Sequence, residues 1–382
     1  MSPNAGTVKG GASACAPRAP MKAPAIIGHH SPPSLPTVLC QLLLTGDVNL
    51  MNVADARVPF ARVGGTLRAA SLVFGNFECC LYAPPAERSL ADEGFYAAPA
   101  VGAALALAGY HAVGTANNVN YGSEAIVQSL RELDRLGIAH TGSGANREAA
   151  HAPVVIERGG LRFGIMQRTS VYWPTNHEAG EHSPGVAVIR GHTAYQVPAH
   201  KIRPEIPPMN RPGLPPVILT WADPQYLARF LEELSVLRKQ VDVVVSSHHW
   251  GLHQEVLQYM TEIAHAAIDT GADVVIGHGP HFVLPVEIYK GKPIFYGMGN
   301  FSFHTGHGGR THGDWTGLVA CVTVEDRSVK RVALKFVRHN ERNETLLRAP
   351  GEEPEALRDL TERSAPFGTR ISVEGDEAVV AL

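Results

Sequence analysis

The sequence predicts an α/β fold, in which short buried strands alternate with amphipathic helices. Three observations predict it. Short apolar runs recur along the chain, helical periodicity fills the intervals between them, and hydrophobic residues make up 45% of the 382 residues, enough to bury a large core. Strands that are apolar throughout are typical of a sheet covered on both faces. The predicted strands span residues 38–44, 71–74, 112–115, 241–246, 273–276, 318–325 and 332–337.

Two of the predicted helices have clear start signals. Ser123 can cap a helix whose apolar residues recur at helical spacing and which ends at Gly137. Asp223, followed by Pro224, begins a second helix, because proline is favoured in the first turn and an acidic side chain caps it. The last two predicted strands then form an antiparallel pair that finishes the fold.

The chain is predicted to hold one catalytic domain with three irregular segments. Residues 1–36 are rich in Pro and Gly and are expected to form a flexible tail. The catalytic domain is expected to cover residues 37–340, with a Pro- and His-rich insertion at 175–216 that is either disordered or a lid over the site. Residues 341–382 are a C-terminal extension.

Composition excludes several classes of function. Lys and Arg number 33 against 36 Asp and Glu, a formal net charge of -3 without a basic block, so no nucleic acid or anionic membrane is expected as a partner. Apolar runs stay far below the roughly 20 residues that span a bilayer, and no secretion signal is visible, so a cytoplasmic location is expected. The five cysteines are scattered without a CxxC pattern and are interpreted as free thiols.

Polar side chains cluster where the predicted strands end. They are Asp47, Asn49, Asn76, Glu78, Asn117, Asn118, His248, His249, His278 and His281. Ligands bind at the carboxyl ends of strands in an α/β sheet, so these loops are expected to converge. Their oxygen and nitrogen donors suit a divalent cation, although each asparagine could instead close a turn. His248 is expected to be structural, since alternation along the strand points it away from His249.

Six ordered motifs between residues 38 and 337 resemble the CapA family, which is named for poly-γ-glutamate capsule synthesis and is similar to calcineurin-like metallophosphoesterases. The motifs are Gly46-Asp47-Val48-Asn49, Gly75-Asn76-Phe77-Glu78, Ala116-Asn117-Asn118, His249-Trp250-Gly251, Gly277-His278-Gly279-Pro280-His281 and Tyr296-Gly297-Met298-Gly299-Asn300-Phe301. The resemblance implies a calcineurin-like four-layer αββα sandwich. It also implies one divalent metal ion, with Ca, Mn, Mg and Zn left open. The implied ligand positions are Asp47, Asn76, Glu78, Asn118, His249, His278 and His281.

Two departures from the family pattern narrow the expected chemistry. Val119 follows Asn118 where the family commonly has a histidine, and Asn76 stands where phosphoesterases use a bridging aspartate. Two ions held close together need anionic ligands between them, so phosphoester hydrolysis is disfavoured. With these gaps the sequence most resembles a lasso-peptide epimerase, a member that inverts a Cα centre of a ribosomally made peptide.

Inversion of a Cα centre requires acid/base groups that remove a proton from one face and return one to the other. His249 and His281 are the candidates, with Asp47 and Glu78 as carboxylates that orient or charge-balance them. The substrate is then a peptide. One alternative is a metal-dependent hydrolase of a phosphoester or amide, or a capsule-related CapA function. A second is a non-catalytic peptide-binding scaffold. The sequence leaves the oligomeric state open.

Overall fold

The structure, a computed structural model, describes residues 39–85, 94–174, 177–196, 217–251, 253–306, 309–311 and 313–382. The expected N-terminal tail, residues 1–36, and much of the expected insertion, residues 197–216, lie outside these ranges. Within them, no helix has the length and the apolar surface that crossing a bilayer requires.

The described residues contain twenty-two strands and seven α-helices. In chain order the strands are β1 (Leu39–Asn49), β2 (Leu72–Phe77), β3 (Cys80–Leu81), β4 (Tyr96–Ala97), β5 (Ala112–Gly114), β6 (Ala139–Thr141), β7 (Ser143–Gly144), β8 (Val154–Arg158), β9 (Leu161–Thr169), β10 (Gly185–Val186), β11 (Gly191–Gln196), β12 (Val217–Ala222), β13 (Val243–His249), β14 (Val274–His278), β15 (Val286–Tyr289), β16 (Lys292–Phe295), β17 (Asn300–Phe303), β18 (Gly317–Glu325), β19 (Ser328–His339), β20 (Thr345–Arg348), β21 (Ile371–Glu374) and β22 (Glu377–Val380). The helices are α1 (Gly64–Ala69), α2 (Ala103–Ala108), α3 (Ser123–Arg135), α4 (Arg147–His151), α5 (Pro224–Arg238), α6 (Gln258–Thr270) and α7 (Pro354–Ser364).

Two large sheets form the centre of the fold. One has ten strands in the order β21-β22-β19-β18-β1-β2-β5-β6, with β17 paired to β1 and β20 paired to β19. The other has six strands in the order β15-β16-β14-β13-β9-β8. Side chains of both sheets share one buried apolar cluster, which includes Leu44 of β1 and Val245 of β13. The sheets therefore pack face to face.

Helices cover the outer face of each sheet. Leu67 of α1 and Leu133 of α3 belong to a second buried cluster, together with side chains of the ten-stranded sheet. Phe230 of α5 and Ile263 of α6 pack with the six-stranded sheet in a third cluster. The predicted α/β fold, a calcineurin-like four-layer αββα sandwich, is confirmed. Apolar residues on both faces of each central strand are what this layering requires.

The parallel strands of both sheets bring their carboxyl ends to one edge. In the ten-stranded sheet β1, β2, β5 and β6 are parallel, and Asp47 lies opposite Asn76. In the six-stranded sheet β9, β13 and β14 are parallel, and His249 lies opposite both Thr169 and His278. This register, rather than any one loop, collects the polar motifs.

The structure adds to the predictions at the helix starts and at the C-terminus. Asp223 caps α5 as predicted, and its carboxylate accepts from the backbone N–H groups of Gln225 and Tyr226. Ser123 is not a cap: α3 begins at Ser123, Gly122 occupies the cap position, and no side chain caps it. Residues 341–382, expected as an extension, contain β20, β21 and β22, which join the ten-stranded sheet, and α7.

Candidate metal centre

Two buried carboxylates lie at this edge with an amide between them. Asp47 and Glu78 are at most 1% exposed. The side-chain nitrogen of Asn76 donates to Asp47 Oδ1 at 2.9 Å and to Glu78 Oε2 at 3.0 Å. A buried carboxylate is costly unless it is paired or binds a metal, so two of them in contact predict a cation beside them.

The orientation of Asn76 is set from its other side. Its side-chain oxygen accepts from Asn117 Nδ2 at 3.2 Å and from Gln167 Nε2 at 3.1 Å. Both neighbours donate there, so the NH₂ group of Asn76 must face the carboxylates. An NH₂ group does not bind a metal ion. In this arrangement Asn76 holds Asp47 and Glu78 in place, and its predicted role as a ligand stays a prediction.

Two imidazoles face Asp47. His278 Nδ1 lies 3.3 Å from Asp47 Oδ1, and His281 Nδ1 lies 3.3 Å from Asp47 Oδ2. Burial alone would raise the pKa of Asp47, but hydrogen bonding and positive charge from His278 and His281 outweigh it and lower this pKa below its usual range. Asp47 is therefore ionised at neutral pH and could serve as an anionic ligand.

Glu78 is approached by the two histidines predicted to be catalytic. His249 Nε2 lies 3.6 Å and His281 Nε2 lies 3.7 Å from the same oxygen, Glu78 Oε1. Burial alone would lower the pKa of His281, but the negative charges of Glu78 and Asp47 raise it to about 9. Without a metal ion, His281 is therefore protonated at neutral pH.

Neighbouring side chains orient these two imidazoles. His281 Nδ1 is 2.9 Å from Asn300 Oδ1, an acceptor, so this nitrogen carries a proton. His249 Nδ1 is 3.3 Å from the Thr169 hydroxyl, which donates its own proton to the backbone oxygen of Val171. Both imidazoles thus keep Nδ1 protonated and direct Nε2 towards Glu78, the geometry that outer hydrogen bonds commonly impose on ligand histidines.

The donor set fits a divalent ion. Asp47, Glu78 and His281 each offer one ligand atom, and these atoms lie within 4.8 Å of one another. Among the described residues, Nε2 of His249 and Nε2 of His278 are buried without a hydrogen-bond partner. Buried polar atoms are rarely left unpaired, so these two nitrogens indicate that an ion or a substrate group binds beside them. Carboxylate and imidazole donors accept Ca, Mn, Mg and Zn.

Asn118, a predicted ligand, and His248, expected to be structural, make no described hydrogen bond or ion pair with the two carboxylates. Asn118 is half-buried and its backbone oxygen accepts from Trp173 Nε1 at 2.9 Å. No described hydrogen bond links its side chain to the carboxylates, and its ligand role stays a prediction. His248 points away from His249, as predicted: it stacks on Trp250 with ring centroids 4.7 Å apart. Burial, with the nearby charges of Arg168 and His278, lowers the pKa of His248 to about 3.

Three positioning residues were missed as site residues by the sequence reasoning. They are Thr169, Gln167 and Asn300. Asn300 lies in the Gly-Met-Gly-Asn motif, and it is paired with Asp47 across β1 and β17, so the motif itself was the signal. Gln167 and Thr169 end an apolar strand with no motif of their own. Only the approach of the second sheet reveals their roles.

Close backbone contacts at this edge require glycine. A Cβ on Gly46 would lie 2.0 Å from the backbone oxygen of Gly299, where the Asp47 N–H donates at 2.9 Å. Gly279 has a φ of +107°, and a Cβ there would lie 3.0 Å from His249 Nε2. A larger residue at position 46 would displace Asp47 by steric overlap. At position 279 it would press on His249 and would also have to adopt a positive φ, which few residues other than glycine tolerate.

Two cavities open onto His281. One, of about 360 Å³, is lined by Phe95, Phe303 and Arg310 among others. The other, of about 420 Å³, is lined by Trp315, Arg338 and other residues, including Asp314. A substrate in either cavity would reach the exposed part of His281, whose side chain is 30% exposed while Asp47 and Glu78 stay buried.

A family profile and individual relatives both relate this chain to bacterial capsule synthesis proteins. A sequence profile described as bacterial capsule synthesis protein PGA_cap matches residues 23–305, more than half of the chain. An uncharacterized protein of Sinorhizobium fredii is 28% identical over 306 residues, covering 69% of this chain and 66% of the relative. A probable polyglutamine synthesis accessory protein of Mycobacterium tuberculosis is 28% identical over 276 residues, covering 70% of this chain and 65% of the relative.

A third relative is similar over a shorter stretch. The PGA biosynthesis protein CapA of Bacillus subtilis is 38% identical over 99 residues, covering 25% of this chain and 24% of the relative. The matched parts span at most 66% of the relatives' own lengths.

Proposed function

Since the chain belongs to the bacterial capsule synthesis protein family PGA_cap, we propose that it is a metal-dependent enzyme that inverts a Cα centre in a peptide substrate. The observation that carries the proposal is the convergence of Asp47, Glu78 and His281, with the imidazole of His249 beside Glu78. The substrate class proposed from the sequence, a ribosomally made lasso-type peptide, is the finer form of this proposal.

The two predicted roles of His281 compete for one atom. Its Nδ1 is engaged with Asn300, so only Nε2 remains. One nitrogen cannot bind an ion and carry a proton at the same time. We therefore assign His281, with Asp47 and Glu78, to the metal ion and leave proton transfer to His249.

Proton transfer by His249 follows from its hydrogen bonds. Its Nδ1 faces Thr169, so its Nε2, which is buried and faces the same Glu78 oxygen as His281, would accept the Cα proton from one face of a substrate that extends past His281. A proton from solvent then returns to the opposite face, which leaves the peptide with inverted configuration. A divalent ion bound here supplies electrostatic stabilisation of the negative charge that develops on the adjacent carbonyl oxygen.

Asn76 argues against a two-metal phosphoesterase. A bridging carboxylate would screen two cations, whereas Asn76 directs a hydrogen-bond donor at both Asp47 and Glu78. A second cation at this position would face the NH₂ group rather than an anion. The site therefore favours one ion and acid/base chemistry.

A metal-dependent hydrolase of γ-glutamyl amides is the second candidate function. The names of relatives, which refer to polyglutamine synthesis and PGA biosynthesis, suggest this substrate class and not the reaction itself. The same three metal ligands would serve, and His249 would deprotonate water instead of Cα. A non-catalytic peptide-binding role is the remaining alternative from the sequence.

Isotope labelling tests these functions in parallel. A γ-linked oligoglutamate and a linear peptide with a free C-terminus are incubated with the Mn²⁺-loaded protein, in heavy water and in oxygen-18 water. Deuterium uptake at Cα without cleavage is expected and supports the epimerase. Cleavage with oxygen-18 in the new carboxylate would instead establish the hydrolase. Binding of the peptide without incorporation of either isotope would support the non-catalytic scaffold. Chelated protein is the control.

A further inference from the structure

Arg310 is a cation at the edge of the candidate site, and it has no acidic partner among the residues that the structure describes. Three arginines line the two cavities that open onto His281. Arg338 pairs with Glu353 at 2.7 Å, and Arg363 pairs with Asp359 at 3.3 Å. Among the described residues, Arg310 makes no ion pair and no side-chain hydrogen bond, and it is exposed.

The backbone of Arg310 is held close to the metal ligands. Its carbonyl oxygen accepts from the Gly306 N–H at 2.9 Å, and Thr305 bridges to Thr311 beside it. The Thr305 oxygen accepts from Asn49 Nδ2 at 2.6 Å, and Asn49 lies two residues after Asp47. Arg310 is therefore anchored to the strand that carries the first metal ligand.

The cavity that Arg310 lines also has aromatic side chains in its wall. Phe303 packs edge-on against His281, with ring centroids 4.7 Å apart, and the rings of Phe95 and Phe303 are 6.1 Å apart. A ligand in this cavity can contact aromatic carbon, the Arg310 cation and the candidate metal ligand His281. This combination favours an anion attached to a carbon skeleton over a free inorganic anion.

We infer that the cavity of Phe95, Phe303 and Arg310 is a carboxylate-binding subsite, in which the Arg310 guanidinium binds a carboxylate of the substrate. The planar fork of an arginine matches the two oxygens of a carboxylate and makes paired, charge-assisted hydrogen bonds. One part of the inference rests on the proposed function: while the subsite holds the carboxylate, the part of the substrate that reacts would extend to His281.

Such a carboxylate has two sources. It is either the free α-carboxylate of a γ-linked glutamate chain or the C-terminal carboxylate of an ordinary peptide. Both present the same group to Arg310, but they differ in the distance between this carboxylate and the nearest amide carbonyl of the chain.

Binding measurements on four probes test the subsite. The probes are a γ-linked triglutamate, its fully amidated form, an N-acetylated dipeptide ending in phenylalanine, and the C-terminal amide of that dipeptide. Calorimetry compares the wild type with Arg310→Met, which removes the charge but keeps the length. Arg131→Met is the matched control, since Arg131 is exposed on α3 and makes no described ion pair.

The expected result is a preference for carboxylate over amide that depends on Arg310. The wild type and Arg131→Met should bind at least one carboxylate probe about tenfold more tightly than its amide, and Arg310→Met should lose that preference. Arg310→Lys should retain part of it, because lysine keeps the charge without the fork. The probe that shows the preference identifies the source.

Two outcomes would overturn the inference: a wild type that does not distinguish carboxylate from amide, or an Arg310→Met variant that still does. Each titration is repeated on chelated and on Mn²⁺-loaded protein, with Mn²⁺ binding measured separately. Failure to bind Mn²⁺ would refute the proposed metal centre, while an Arg310-dependent preference in the chelated protein would still support the subsite.

Discussion

Glu78 is the residue on which the chemistry of the site depends. A single oxygen of this buried carboxylate faces both His249 and His281, while its other oxygen accepts from Asn76. A carboxylate between two imidazoles can balance the charge of only one cationic partner. An ion ligated by Asp47, Glu78 and His281 would therefore leave His249 as the imidazole available for proton transfer beside Glu78.

Replacing the proposed base, His249, should greatly slow turnover without removing the metal ion. We expect His249→Gln to lower the rate of Cα deuterium uptake about 10²-fold or more, because glutamine cannot accept the proton. Mn²⁺ stoichiometry should stay at the wild-type value, since His249 is not assigned to the ion. His182→Gln is the control, because the His182 side chain is 88% exposed. A His249→Gln variant with near wild-type uptake would exclude this role.

Restoring a carboxylate at position 76 should change the number of ions bound. Asn76→Asp removes the donor between Asp47 and Glu78 and adds a third buried negative charge. We expect lower stability in chelated protein, because three carboxylates repel one another, and a second Mn²⁺ per chain by elemental analysis. Asn120→Asp, a buried asparagine that donates to backbone oxygens instead, is the matched control. One ion per chain in Asn76→Asp would contradict this account of Asn76.

At the scale of elements, a buried charge network ties α5 to the six-stranded sheet. Arg168 of β9 is 1% exposed and donates to Glu233 of α5 at 2.5 Å. Glu233 also lies 2.9 Å from His151 Nδ1 at the end of α4. Arg168 follows Gln167, which orients Asn76, so this network supports the strand that reaches the site.

Breaking this network should destabilise the fold. We expect Glu233→Gln to lower the free energy of unfolding by about 3 kcal/mol, because it leaves the buried Arg168 charge with backbone acceptors but without an anionic partner. Urea denaturation measures this difference in unfolding free energy between the wild type and the variant. Glu232→Gln changes the adjacent, exposed residue of the same helix and should have little effect. Equal losses in the two variants would show that Arg168 does not depend on Glu233.

The contribution of Glu233 should also depend on pH. Burial alone would raise its pKa, but His151 and Arg168 lower it from 4.5 to about 2. Because this pKa is lower in the folded than in the unfolded protein, the ionised Glu233 carboxylate stabilises the fold fully above about pH 4.5. This stabilisation is lost as the pH falls towards about 2. The difference in unfolding free energy between wild type and Glu233→Gln should therefore shrink over that range. A difference that stays constant would contradict the pairing.

Each of the seven predicted strands overlaps a strand of the structure, but five of them extend beyond the predicted end. β1 was expected to end at residue 44 and continues to Asn49, because Asp47 and Asn49 are polar yet buried. Polar residues usually indicate a strand end, whereas here hydrogen bonds and the candidate cation compensate for their burial. The role of Asn76 could not be predicted either, since Gln167 of the opposite sheet fixes its orientation. Local pattern gives elements and motifs, and side-chain orientation depends on packing between layers.

At the scale of the whole molecule, the candidate ligands come from both sheets. Asp47 lies near the end of β1 and Glu78 directly follows β2, both in the ten-stranded sheet, while His281 lies in the loop after β14 of the six-stranded sheet. Apolar packing joins the two sheets behind this edge. A bound ion would join them in front as well, so the two layers could not separate there without losing a ligand.

Metal binding should therefore stabilise the entire sandwich. With Mn²⁺ at about 1,000 times its dissociation constant, we expect the free energy of unfolding to rise by about 4 kcal/mol above that of the chelated protein. Asp47→Asn should show no comparable rise, because it removes an anionic ligand of the ion. His249→Gln should keep the rise, because His249 is assigned to proton transfer. An equal rise in Asp47→Asn, or none in the wild type, would mean that the ion does not bind between the sheets, and denaturant titrations with and without chelator distinguish these cases.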